Sequence, residues 1–212
     1  MCGFAGFLRS PATPNRDAHC EWLENMGQAI IHRGPDAGAV YLDEHVGLVH
    51  RRLSIIDLSD AGTQPMVSAS GRHVIVFNGE IYNFQSIRQE LQRQGVCFRT
   101  GTDTEVLLEL YEREGADCLE QLNGMFAFAI WDRQSNSLFL ARDRLGKKPL
   151  YYYQRDGKFA FASEIKALHP LPFLDTTLRA DALKDFFFYQ YVPDPKSIYE
   201  SVHKLPPGHW LQ

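Results

Sequence analysis

The chain has 212 residues, of which 44% are hydrophobic and 23% are charged, a composition typical of a globular protein. The formal net charge of -4 provides no basic surface for nucleic acid, and no stretch approaches the ~20 apolar residues that a membrane-spanning helix needs. The N-terminal sequence MCGFAGFLRS lacks the basic start and long apolar run of a secretory signal. We therefore expect a cytoplasmic protein that binds neither nucleic acid nor a membrane.

The pattern of apolar residues predicts runs of strands and runs of helices. In chain order these are a strand at 2–8, a helix at 17–31, strands at 38–42, 46–50 and 73–77, helices at 84–94 and from about 103, strands at 126–131, 138–141, 150–153 and 159–162, and helices at 164–168 and 180–190. The strand at 73–77 runs into Asn78-Gly79, and Asp156-Gly157 is interpreted as a hairpin turn. Successive short connections favour antiparallel pairing, so the predicted fold class is α+β with packed antiparallel sheets.

The end of the chain has a different composition. Residues 191–212 include the Pro-rich segment VPDPKSIYESVHKLPPGHWLQ. We interpret residues 1–190 as one domain and residues 191–212 as a connection toward a further domain.

The cysteines and histidines do not predict a metal site. Cys2, Cys20, Cys97 and Cys118 are widely separated and form no CxxC pair, and the eight histidines are dispersed. This spacing indicates neither a disulfide framework nor a zinc site.

Cys2 is the first candidate for chemistry. Removal of Met1 would leave a cysteine with both a thiol and a free α-amine, whose pKa of ~7.7–8.0 lies close to operating pH. One residue would then supply a nucleophile and its base. The alternative is a structural cysteine in the first strand.

Three further candidates each have a structural alternative. Asn78 and Gly79 in FNGEIYN are suited to a two-donor oxyanion hole, or form a simple turn. Arg52 can bind a carboxylate through two parallel hydrogen bonds, although Arg51 beside it shows that one arginine is a weak signal. Asp103 in GTDTEV is suited to an ammonium group, or caps the helix that follows. Together these groups fit an α-amino acid with an acyl side chain, and glutamine is the obvious candidate.

Eight motifs then carry a family resemblance over nearly the whole chain. They are MCGFAGF, HRGPD, RLSIIDL, FNGEIYN, TGTDTE, GMFAFAIWD, RDRLGKKPLYY and ASEIKAL. In this order they resemble the N-terminal glutaminase domain of glutamine-dependent asparagine synthetases, which are class II amidotransferases within the N-terminal-nucleophile hydrolases. The resemblance implies a four-layer αββα sandwich, in which two antiparallel sheets lie between helical layers.

The resemblance also implies a role for each matching residue. Cys2 would be the nucleophile, Asn78 and the Gly79 amide the oxyanion hole, Arg52 the carboxylate ligand, Glu80 and Asp103 the ammonium ligands, and the segment from Leu53 to Ile56 a wall of the pocket. The reaction would pass through a γ-glutamyl thioester and release ammonia and then glutamate. Glu80 after Asn-Gly favours the asparagine-synthetase type over sugar-phosphate and purine-pathway relatives.

The sequence has no SGGxDS loop of the ATP-dependent synthetase domain that follows in this family. It is therefore a piece of a longer protein or a free-standing glutaminase. We expect L-glutamine as substrate and no cofactor in this chain, with ATP and Mg confined to the missing synthetase domain. That C-terminal domain is the expected partner, and a homodimer is possible. Two alternatives are amidation of another acceptor, such as a sugar acid or other carboxylate, and a catalytically silent regulatory or interaction domain.

Overall fold

The computed structural model describes residues 1–9, 15–53 and 60–212. Ile56, predicted to line the pocket, lies outside these residues. The strands are β1 (Gly3–Leu8), β2 (Ala37–Leu42), β3 (Val46–Arg52), β4 (Met66–Val67), β5 (His73–Ile81), β6 (Gly124–Asp132), β7 (Ser137–Arg142), β8 (Tyr151–Arg155), β9 (Lys158–Ala162), β10 (Val202–Lys204) and β11 (Trp210–Leu211). The α-helices are α1 (Arg16–Ala29), α2 (Phe84–Arg93), α3 (Asp103–Glu114), α4 (Cys118–Gln121) and α5 (Ala180–Tyr189).

Within the described ranges, the strands form two antiparallel sheets. The first has six strands in the order β10-β8-β9-β1-β3-β2, and the second has five in the order β11-β7-β6-β5-β4. The predicted hairpin at Asp156-Gly157 joins β8 to β9, and both of its residues have positive φ, as a two-residue hairpin turn requires.

Hydrophobic cores separate the helical and sheet layers. Leu23 and Met26 of α1 are buried against the first sheet. Phe4 and Trp131 belong to a core between the sheets, and Leu107 of α3 belongs to a core on the outer face of the second sheet. The order is therefore helix, sheet, sheet, helix, which confirms the predicted α+β sandwich. No helix in the described part of the chain is long and apolar enough to cross a membrane.

The start of α3 corrects one alternative for Asp103. The Thr102 side chain, which is the N-cap, accepts a hydrogen bond from the Glu105 N–H at 3.2 Å. The helix ends at Gly115, which has φ of 58°. Asp103 therefore follows the N-cap as the first residue of the helix, and its carboxylate is available for another contact.

The predicted strand at 73–77 is four residues longer in the structure, and the alternative of a turn at Asn78-Gly79 is wrong. β5 continues to Ile81 and pairs with β6 along its whole length, with Asn78 opposite Ala127 and Gly79 opposite Phe126. Turn propensity is local, whereas a nine-residue ladder supplies cross-strand pairing at every position. The two residues lie inside a strand, so their directions are set by the sheet.

Residues 191–212 contribute more than a connection. β10 pairs with β8 at one edge of the first sheet, and β11 pairs with β7 at one edge of the second. These strands have three and two residues, too few to show an alternating pattern, so the sequence did not predict them. The domain boundary at residue 190 stays a prediction.

Candidate active site

Strand alternation directs the candidate side chains into the space between the sheets. Successive residues of a strand point to opposite faces. On β5, Val74 and Val76 belong to the inter-sheet core, so Asn78 and Glu80 share that face. On β3, Leu48 belongs to the same core, and Arg52 lies four residues further on.

Cys2, two residues before Phe4 of the inter-sheet core, is on the equivalent face of the first sheet. A cleft forms where these side chains meet. Its walls are formed by Met1, Cys2, Arg52, Leu53, Gly62, Gln64, Phe77, Asn78, Gly79, Glu80, Thr102, Asp103, Thr104 and Lys148. All the predicted site residues within the described ranges therefore line one cleft.

Cys2 is half-buried and held on two sides. Its thiol lies 3.6 Å from the Leu53 carbonyl oxygen, and the Leu53 N–H donates to the sulfur at 3.4 Å. The Arg33 Nε donates to the Cys2 carbonyl at 2.9 Å, and its Nη1 to Glu164 at 2.7 Å. A Cβ on Gly3 would lie 2.8 Å from the Arg33 side chain, so the missing side chain lets the arginine lie against the backbone. The Arg33 contact thus fixes the Cys2 backbone, and the Leu53 backbone fixes the position of the thiol.

Asn78 places an amide donor in the cleft. The residue is only 1% exposed, and its Nδ2 has no hydrogen-bond partner within the described part of the chain. Since buried polar groups are nearly always paired, an orphaned donor that faces a pocket indicates a ligand.

The register of β5 directs a second donor, the Gly79 N–H, to the same cleft. Opposite it, Phe126 directs both its N–H and its carbonyl toward Asp143, at 3.2 and 2.8 Å. Gly79 and Phe126 are therefore a non-hydrogen-bonded pair, and the Gly79 N–H points away from β6. A Cβ on Gly79 would lie 2.3 Å from the Met125 carbonyl oxygen, so this close approach requires glycine.

The neighbouring donors on that edge of β5 have acceptors. The Phe77 N–H donates to Gln64 Oε1 at 2.6 Å, and the Ile81 N–H donates to Asp103 Oδ2 at 3.0 Å. Gly79 lies between them in a strand with period two, so its N–H faces the cavity between the two occupied positions.

Arg51 and Arg52 lie on opposite faces of β3. The Arg51 Nε donates to the Gly27 carbonyl of α1 at 3.1 Å, away from the cleft. Arg52 is buried in the cleft wall, and a Cβ on Gly62 would lie 2.4 Å from its Nη2. The guanidinium therefore lies directly against the Gly62 backbone. A side chain at position 62 would occupy the same space.

Asp103 and Glu80 place carboxyl groups at the same cleft. Burial raises the pKa of Asp103 to about 6, while the hydrogen bond from the Ile81 N–H opposes the shift and the nearby Glu80 adds to it. Two acidic groups that line one cleft favour the binding of a cation there.

Sequence reasoning missed four residues that build this site. Arg33 fixes Cys2, and Gln64 bridges β5 to the Thr104 hydroxyl through its Nε2 at 3.2 Å. Lys148 lies in the cleft wall, although the segment that contains it was singled out only as one of the motifs that carry the resemblance. Asp143 fixes the loop that contains Lys148. The HRGPD and RDRLGKKP motifs marked two of these segments, but no local pattern showed that they reach Cys2.

The chain belongs to the glutamine amidotransferase domain family, whose model matches residues 1–212. It is similar to asparagine synthetase [glutamine-hydrolyzing] 1 of Bacillus subtilis, with 42% identity over 98% of this chain and 33% of the relative. It is also 36% identical to a putative asparagine synthetase [glutamine-hydrolyzing] 2 of Methanocaldococcus jannaschii, over 97% of this chain and 42% of the relative. The chain thus spans between about a third and two fifths of these relatives.

The fold has solved counterparts. A glutamine phosphoribosylpyrophosphate amidotransferase from B. subtilis matches 80% of this chain and 43% of its own, with a TM-score of 0.62 and 22% identity. At this identity the match supports the fold alone, and it agrees with the two-sheet sandwich described above.

Proposed function

We propose that this chain hydrolyses the side-chain amide of L-glutamine, with Cys2 as the nucleophile. The observation that carries the proposal is the orphaned Asn78 Nδ2, buried in the cleft that Cys2 also lines. An unpaired donor beside a thiol suits a reaction in which a carbonyl oxygen gains negative charge.

The charged residues of the cleft suggest which groups bind the two charged ends of the substrate. The Arg52 guanidinium would bind the α-carboxylate, since its planar fork matches a carboxylate. Asp103 and Glu80 would bind the α-ammonium. These contacts direct the γ-carboxamide toward Cys2, and Leu53 fills the wall beside the thiol.

The proposed reaction has two steps. After removal of Met1, the Cys2 α-amine takes the thiol proton, and the sulfur attacks the carbonyl carbon of the glutamine side-chain amide. Asn78 Nδ2 and the Gly79 N–H stabilise the resulting oxyanion. The C–N bond then breaks, the proton returns to the leaving nitrogen as ammonia departs, and a γ-glutamyl thioester remains. Water attacks this thioester, releases glutamate and restores the thiol.

A glutaminase assay on purified protein tests the proposal. Cys2→Ala should reduce glutamate formation to background and leave the fold intact, because the small side chain keeps the backbone contact to Arg33. Cys97→Ala is the matched control, since Cys97 is exposed and lies outside the cleft. Glutamate formation at the wild-type rate in Cys2→Ala would overturn the proposal.

We further propose that the ammonia serves an ATP-dependent synthetase part of a longer protein, which converts aspartate to asparagine. The names of the relatives support this assignment, and ATP and Mg would bind in that part. On α5, Phe187 and Phe188 are 77% and 79% exposed, which suits a contact with such a domain. In the full-length protein, Cys2→Ala should abolish glutamine-dependent asparagine formation and preserve the ammonia-dependent reaction. Loss of both reactions in a folded variant would contradict this coupling.

A further inference from the structure

Two adjacent lysines differ sharply in their surroundings. Lys147 is exposed, whereas Lys148 is 4% exposed and lines the cleft with Cys2. The loop is folded around the buried Asp143 carboxylate, which accepts hydrogen bonds from the backbone N–H groups of Leu145, Lys147 and Lys148 at 3.1, 2.9 and 3.0 Å. The position of Lys148 is therefore fixed by its backbone.

The Lys148 ammonium lies where the N-terminus enters the cleft. In the part of the chain that the structure describes, it donates a hydrogen bond to the Met1 sulfur at 3.2 Å. Removal of Met1 would take away this acceptor and leave the new α-amine of Cys2 in the same region.

The charges around Lys148 come from several elements. Burial lowers its pKa, Glu80 on β5 opposes that shift, and Arg33 before β2 adds to it. Cys2 and Asp143 act in the same direction as Glu80. Lys148 and Cys2 both line the cleft, so the ammonium and the thiol face the same enclosed space.

We propose that Lys148 is a positioning residue for the nucleophile, whose ammonium stabilises the Cys2 thiolate and keeps the neighbouring α-amine in its basic, neutral form. This inference rests on the proposed glutaminase function. An opposite charge favours ionisation of a thiol, and a like charge disfavours protonation of an amine. Both effects increase, at neutral pH, the fraction of enzyme in which the thiol and the amine share a single proton, the form in which the amine can take that proton as the sulfur attacks. Glu80 and Asp103 act in the opposite direction, so the cation offsets the acidic ammonium site.

The test compares Lys148→Met with Lys147→Met in protein that begins at Cys2. The rate of iodoacetamide alkylation at Cys2, followed by peptide mass spectrometry, gives the apparent thiol pKa without using glutamine. Lys148→Met should move the pH dependence of Cys2 alkylation to higher pH, because an opposite charge near a thiol favours its ionisation. It should also move the rising limb of kcat/KM for glutamine to higher pH by a similar amount. Lys147→Met should change neither, and Lys148→Arg should keep most of the wild-type profile.

The outcomes separate this inference from the function on which it rests. The role of Lys148 would be overturned if the pH dependence of Cys2 alkylation were unchanged in folded Lys148→Met. It would also be overturned if the maximal kcat/KM fell without any shift of the profile along the pH axis. Full glutaminase activity after complete alkylation of Cys2 would instead overturn the proposed function. If Lys148→Met does not fold, Lys148→Gln, which retains a polar group without the charge, provides the same measurement.

Discussion

The Asn78→Ala substitution separates catalysis from stability. The amide has an orphaned donor and is 1% exposed. Removal of one oxyanion-hole donor typically lowers kcat by about 10²–10³-fold, equivalent to ~2.7–4 kcal/mol. An unsatisfied buried donor opposes folding by ~1–3 kcal/mol, and its deletion offsets the packing that alanine loses. We therefore expect a large loss of kcat with a change in the free energy of unfolding of no more than about 1 kcal/mol.

Asn83→Ala is the matched control on the same segment. The Asn83 Nδ2 donates to the Gln121 carbonyl at 2.8 Å, and its Oδ1 accepts from the Asn123 N–H at 2.9 Å. Each bond contributes roughly 0.5–1.5 kcal/mol, so this variant should lose about 1–3 kcal/mol of stability. Asn83 does not line the cleft, and kcat should stay at the wild-type value.

Two measurements on each variant distinguish a catalytic role of Asn78 from a structural one. Steady-state glutaminase kinetics give kcat and KM, and urea denaturation gives the free energy of unfolding. A less than threefold change in kcat for Asn78→Ala would remove Asn78 from the oxyanion hole. A stability loss above about 3 kcal/mol would show that its amide is a structural group.

Three further predictions concern the substrate clamps and the N-terminus. Arg52→Lys should raise KM for glutamine far more than Arg51→Lys, because a lysine keeps the charge and loses the two-point grip; equal effects would show that Arg52 does not bind the carboxylate. Retention of Met1, checked by intact-mass spectrometry, should silence the enzyme by ~10²–10⁴-fold, since the Cys2 amine becomes a peptide nitrogen; a fully active Met1 form would exclude the N-terminal base. Asp103 has a pKa raised to about 6, so acidification through that pH protonates it and KM for glutamine should rise. Asp103→Asn should have a high KM with no such dependence, and an unchanged wild-type KM from pH 7 to 5 would count against the ammonium role.

The fold was largely predictable because strand and helix signals are local. The runs at 126–131, 138–141 and 159–162 are confirmed as β6, β7 and β9 with small changes at the ends. The predicted strand at 73–77 ended too early, because the local turn preference of Asn78 and Gly79 competes with a nine-residue ladder to β6. Sequence could not reveal that partner strand, which lies more than forty residues away.

The motifs predicted the residues proposed to contact the substrate, but not the residues that hold them in position. Cys2, Arg52 and Asp103 were singled out by chemistry and then by resemblance, and the structure brings them into one cleft. Lys148 was passed over because a short basic segment resembles a surface feature until its fold around Asp143, between β7 of the second sheet and β8 of the first, is known. Burial of a single lysine depends on packing against segments that are distant in the sequence, so the local pattern of apolar residues does not predict it.

The relative position of the two sheets determines whether the proposed nucleophile and oxyanion donors can act on the same substrate. Cys2 and Arg52 belong to the first sheet, whereas the Asn78 and Gly79 donors belong to the second. Catalytic groups need to be held within about 0.5 Å of the productive geometry, so a small slide of one sheet over the other would separate the nucleophile from its oxyanion donors.

A cross-sheet hydrogen bond beside the cleft opposes such a slide. The fully buried His50 of β3 donates from Nε2 to the Phe77 carbonyl of β5 at 3.1 Å, two residues before Arg52 and one before Asn78. Burial lowers the pKa of His50 to about 4, so the imidazole is neutral at the pH where the thiol reacts. A charged ring there would repel the Arg52 guanidinium, while a neutral one keeps the bond and leaves the arginine as the local cation. The same burial that makes His50 inert in catalysis thus makes it suitable for fixing one half of the site against the other.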